Sequence, residues 1–127
     1  LVAMTHARLL HLRGDDALPT ILEGYGFYPR NPSLQLLEAQ IRLDRDEAET
    51  ALMILSELAA QDGRTYRDGR ISHDRRIFDV YAPDLMGVAL LRLGRRDEAA
   101  AAFARAARAA PDDMSYRMKA QAMGARL

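Results

Sequence analysis

The stretch Val80 to Asp113, VYAPDLMGVALLRLGRRDEAAAAFARAARAAPDD, carries the pattern that decides the fold. Its small and aromatic residues fall where two antiparallel helices would cross. Met86-Gly87 and Leu90 stand on a first helix, Gly94 at a turn, Ala99, Phe103 and Ala106 on a second helix, and Pro111 at its stop. Glycine and alanine let two helix backbones approach closely, and a phenylalanine ring fills the space that remains. Ala99 to Ala110 is mostly alanine, the strongest helix former, with Arg105 and Arg108 towards the C-terminal end, where cations suit the helix dipole.

The rest of the chain is organised around the same unit. Leu12 is followed by Asp15-Asp16-Ala17, Leu43 by Asp46-Glu47-Ala48, and Leu93 by Asp97-Glu98-Ala99. Each reads as a helix-turn-helix junction in which two acids occupy the first turn of the second helix, where the dipole and free N–H groups favour them. Ala17 and Ala48 are 31 residues apart, close to one repeat, whereas Ala48 and Ala99 are 51 apart. The excess predicts an insertion, and helical patterning fails around Asp62 to Phe78. We read helices near 2–13, 16–28, 32–44, 46–61, 82–94, 96–110 and 113–126. Asn31-Pro32 starts the third, with Asn capping and Pro preset at the first position, and Pro111-Asp112-Asp113 is read as starting the last in the same way.

The 34-residue length, with small residues at the crossing, an aromatic wedge and a closing proline, resembles a tetratricopeptide (TPR) hairpin. It departs from the family pattern at Pro83, where tryptophan is usual, and at Leu90, where tyrosine is usual; both positions stay apolar. The resemblance implies an all-α chain of TPR-like antiparallel helical hairpins stacked in a right-handed superhelix. Repeat 1 would span 1–32, repeat 2 33–62, a non-helical insertion 63–79, repeat 3 80–113 and a capping helix 114–127. Proline at 83 places the start of its helix at Ala82 or Pro83. In repeat 1, Pro19 falls early in the second helix, and in repeat 2 the first helix can be registered around either Leu37 or Ala39.

In this family the inner face of each first helix lines a concave groove that holds a peptide. Carried onto repeat 3, that stripe is Tyr81, Asp84, Val88, Leu91 and Arg92, with Tyr81 and Arg92 as the expected anchors. Val88 and Leu91 are equally compatible with burial against neighbouring helices. The family's carboxylate clamps use Lys, Asn and Arg; this stripe supplies only Arg92, so the resemblance implies a partner with an apolar anchor.

Gly63 to Arg76 holds five arginines against two aspartates. Asp68-Gly69 suits a type I′ turn between Thr65-Tyr66-Arg67 and Arg70-Ile71-Ser72, which predicts a small β-hairpin, with a solvated loop as the plainer alternative. Tyr66, Arg67 and Arg70 are its candidate contacts for phosphate or an acidic peptide.

Composition bounds the function. The 18 basic and 18 acidic residues cancel overall, which argues against a bulk nucleic-acid or anionic-membrane binder, but residues 1–63 carry net −5 and residues 64–127 net +5. Cysteine is absent, so no disulfide or thiolate metal site can form. His6 and His11 are five residues apart, off the one-turn spacing of a metal pair, and no phosphate-cradling glycine loop or nucleophile elbow is present. The acidic pairs are already explained at helix starts. We therefore expect no catalytic residues, no cofactor and no metal, and a protein-protein interaction scaffold that binds a protein or peptide. The alternative is an accessory or oligomerisation domain of a larger enzyme or of a secretion or envelope assembly; RNA binding through the arginine-rich insertion ranks below both. The chain opens at Leu1, and Leu9, Leu10 and Leu12 crowd its first helix. Both features lead us to expect a piece of a longer protein, or a homodimer through that end.

Overall fold

In the computed structural model the described residues are 18–27, 31–61 and 75–125. Their regular structure is all helical: α1 (Leu18–Phe27), α2 (Pro32–Asp44), α3 (Ala48–Ala60), a π-helical turn (Ile77–Tyr81), α4 (Ala82–Arg92), α5 (Arg96–Ala109) and α6 (Met114–Ala122). The expected helix at 2–13 and the expected β-hairpin lie outside the described residues. Consecutive helices pack on one another from α1 to α6, and α4 also touches α2.

Helices α2, α4 and α6 close in one way. Glu47 N–H reaches back to Arg42 O, Arg95 N–H to Leu90 O, and Ala125 N–H to Ala120 O, at 2.8, 2.9 and 3.0 Å. Each bond spans a residue with positive φ, Asp46 at 63°, Gly94 at 76° and Gly124 at 88°, as the Schellman closure requires. Glycine adopts this conformation freely, and aspartate is among the few other residues that tolerate it. This corrects the reading of Asp46-Glu47 as first-turn acids of α3: Asp46 is the left-handed closing residue and Glu47 the cap position, whereas Asp97 and Glu98 do lie in the first turn of α5.

At the starts, the Asn31 side chain accepts from Leu34 N–H at 3.1 Å with Pro32 behind it, as its sequence predicts. In α6 the cap is Asp113, which accepts from Ser115 N–H at 2.9 Å; Pro111 stays in the preceding turn and does not open the helix. The Ser115 hydroxyl, which donates to the same carboxylate oxygen at 2.7 Å, and then that N–H hold the Asp113 carboxyl below its usual range.

The insertion is shorter at its C-terminal end than its pattern suggests, because Ile77 and Phe78 belong to the π-helical turn and are buried. The chain runs from that turn directly into α4, whose α-helical span starts at Ala82 with Pro83 in its first turn, where the proline places it. Ala82 N–H bonds Ile77 O, five residues back. A regular α-turn would press the Pro83 ring against the carbonyl four residues earlier; the wider turn relieves that clash while keeping Phe78, Val80 and Pro83 in the core.

Three apolar clusters follow one another along the chain. Leu18 and Ile21 of α1 meet Leu34, Leu37 and Ile41 of α2. Ala39 and Leu43 of α2 meet Ala51, Leu55 and Leu58 of α3, together with Phe78, Ala82 and Ala89. Leu90 meets Ala99, Ala102, Phe103 and Ala107 of α5, with Ala120 of α6. The two registers open for α2 are both used: Leu37 faces α1 and Ala39 faces α3, because α2 is covered on two sides.

Gly87 marks the tightest crossing. A Cβ there would lie 2.5 Å from Cε1 of Phe103, inside any real carbon contact. We expect Gly87→Ala to destabilise the fold by about 1–3 kcal/mol through overpacking. Urea unfolding checks this, and Phe103→Leu in the same chain should recover part of the loss because the two sites are in contact.

A polar chain ties α1 to α2. Tyr25 Oη donates to Glu38 Oε1 at 2.8 Å, while Arg42 bridges Glu38 and Glu47 at 3.2 and 2.9 Å. Burial first, and then the Glu38 carboxylate that accepts its proton, holds the Tyr25 hydroxyl well above the ordinary phenol range. The contribution of this group to stability is therefore complete and independent of pH below about 10, the unfolded phenol value. Above it the unfolded chain releases a proton that the folded chain keeps, and stability falls by up to about 1.4 kcal/mol per pH unit. Denaturant melts at pH 9 to 11 should show this decline, and Tyr25→Phe should make it shallower.

Candidate functional site

Between α2 and α4 lies a groove of about 320 Å³ lined by Gln40, Leu43 and Asp44 on one side and Leu85, Val88 and Arg92 on the other. Gln40 and Asp44, one turn apart on α2, are exposed, and Leu85 and Val88 are half-buried. Leu85 and Val88 also rest on the central apolar cluster, so the groove floor is aliphatic and its rim polar.

The five residues expected to form one stripe divide into two groups and an outlier. Val88 and Arg92 face the groove. Arg92 is not an unengaged cation there, since its Nη1 donates to the backbone carbonyl of Leu43 in the last turn of α2. Tyr81 and Asp84 look towards other partners: the Arg76 guanidinium lies 5.3 Å over the Tyr81 ring, and Asp84 accepts from Lys119 of α6 at 3.1 Å. Leu91 is 43% exposed and lines neither group.

Lys119 also stands 5.5 Å over the Tyr116 ring, so the π-helical turn, α4 and α6 together present two tyrosines, one carboxylate and two cations. Partial burial raises the Tyr116 hydroxyl above its usual range, and the Asp84 charge adds to it. Asp84 and Lys119 are 35 residues apart in the chain, and nothing in local spacing pairs them. Sequence reading also missed Gln40, Asp44 and Leu85. The first two repeat at helical spacing on α2, but that helix has two buried stripes, and one sequence pattern did not say which flank stayed open.

Tyr66, Arg67 and Arg70 lie outside the described residues, as do the three histidines. Of the arginine-rich run, Arg75 pairs with Asp79 at 3.7 Å and Arg76 covers Tyr81. Among the described residues no cluster of three or more His, Asp or Glu side chains is placed to hold a metal ion, and no helix is long and apolar enough to cross a membrane. No known protein family, characterised protein or solved structure matches the chain.

Proposed function

We propose that this chain is a non-catalytic interaction module, a TPR-like stack of helical hairpins that holds a segment of a protein partner on the surface formed by α2, α4 and α6. The observation that carries the reading is the groove between α2 and α4, whose aliphatic floor and polar rim suit one apolar side chain presented on a peptide. Three further features support it. The helices α2, α4 and α6 share one closure and so repeat as units. Each helix packs on its neighbours in sequence, as stacked repeats do. The stripe carried over from the family resemblance contributes two of the six groove residues, Val88 and Arg92.

An interaction at such a groove depends on its floor. Selection of peptides from a random displayed library on the immobilised protein should enrich sequences sharing an aliphatic or aromatic anchor. Val88→Arg should weaken the selected peptides at least tenfold, about 1.4 kcal/mol, while leaving helical content unchanged by circular dichroism. Peptides that bind Val88→Arg as well as the parent would remove the groove from the reading.

A further inference from the structure

Two arginines on different helices make the same long-range contact. Arg92, the last residue of α4, donates Nη1 to Leu43 O near the end of α2, across 49 residues of chain. Arg105 on α5 donates Nη2 to Ala59 O near the end of α3 at 2.5 Å, across 46 residues. Each helix of the 82–109 hairpin thus ties itself to the end of the corresponding helix of the 32–60 hairpin. The chemistry is the same at both places. Carbonyls in the last turn of a helix keep lone pairs free of intrahelical donors and carry the negative end of the dipole, which a guanidinium complements; the Leu43 carbonyl accepts Arg92 beside the Asp46 N–H that reaches it at 3.0 Å.

The first tie has a consequence that the second lacks, because Leu43 and Arg92 themselves line the groove. Direct packing between α2 and α4 is slight compared with the packing of each on α3. The separation of the groove walls is therefore held indirectly through α3 and directly at one end by Arg92. With its guanidinium committed to a backbone carbonyl, Arg92 does not offer that donor to a guest.

We propose that Arg92 is a positioning residue: it sets the width of the groove between α2 and α4, and is not itself a contact for the guest. That the width then selects the size of a bound side chain rests on the docking reading above; the width itself does not. Arg92 is exposed, so Arg92→Met removes the donors and keeps a stem without opening the core. The chain has no cysteine, which makes introduced cysteines unique label sites.

Nitroxides at Arg45→Cys and Arg95→Cys, exposed in the turns that follow α2 and α4, report the tied ends, and Ser56→Cys with Ala101→Cys on the exposed sides of α3 and α5 serves as control. In Arg92→Met the first distance distribution should broaden and move outward by about 1–2 Å, the amplitude of ordinary helix shifts, with the control pair and the unfolding midpoint little changed. Arg92→Lys should recover part of the change. Peptides selected on the parent protein should then show a changed preference for anchor size on Arg92→Met. An unchanged 45–95 distribution overturns the proposal, most plainly if peptide binding falls at the same time, since Arg92 would then be a guest contact. A widened distribution in a protein that selects no groove peptide leaves the tie standing and removes the docking reading instead.

Discussion

The crossing of α4 over α5 at Gly87 is the constraint on which the rest of the helical stack depends. The Phe103 ring occupies the volume that any Cβ at 87 would need, so the α4 backbone sits directly against that ring. That approach brings Leu90 onto Ala99 and Ala102, and it leaves the other side of α5 to receive Ala120 of α6. An alanine-rich helix is suited to this position. Small side chains on two flanks let α5 lie close to two neighbours at once, while one large ring prevents a void between them. The apolar burial is spread over three clusters in series, not one central core, which is why each helix depends chiefly on the ones beside it.

Polar groups fix what the apolar contacts leave adjustable. Dispersion and burial favour close helices without specifying their longitudinal register. Left-handed closures at Asp46, Gly94 and Gly124 set where α2, α4 and α6 end. The arginine ties from α4 and α5 anchor those lengths to the preceding hairpin, and the Tyr25, Glu38, Arg42 and Glu47 chain does the same between α1 and α2. Charge is also distributed along the stack. The described residues from 18 to 61 hold seven acids and two bases, and those from 75 to 125 hold nine bases and six acids. Ion pairs among the exposed ones contribute little each, but the described residues up to 61 carry net negative charge and those from 75 net positive.

The candidate site follows from the same architecture. A groove opens where α2 and α4 pack only slightly on each other, and its floor is the edge of the central cluster, so Leu85 and Val88 are stabilised by burial on one side and presented on the other. On the far side of α4, the Asp84 and Lys119 pair and the two tyrosines give a polar surface of different character. The helix α4 therefore presents an aliphatic flank towards α2 and a carboxylate, Asp84, towards α6, and the five-residue stripe, which begins at Tyr81 in the π-helical turn, crosses from one to the other.

The sequence by itself determined the helices of the described residues and most of their boundaries. Alanine runs, the Asn31-Pro32 cap, Gly94 and the small residues at the crossing are local signals, and local hydrogen bonding and sterics suffice to read them. It also marked Gly87 as a crossing residue and Phe103 as a packing wedge, while their contact with each other is read from the fold. Tertiary structure alone decided the rest, because the deciding contacts join residues far apart in the chain. The two buried stripes of α2 exist because α1 and α3 both cover it. The π-helical turn exists because Pro83 must stay in a helix whose preceding residues are already buried. Arg92, legible as a cation on an exposed face, became a tie only when folding brought the end of α2 within its reach.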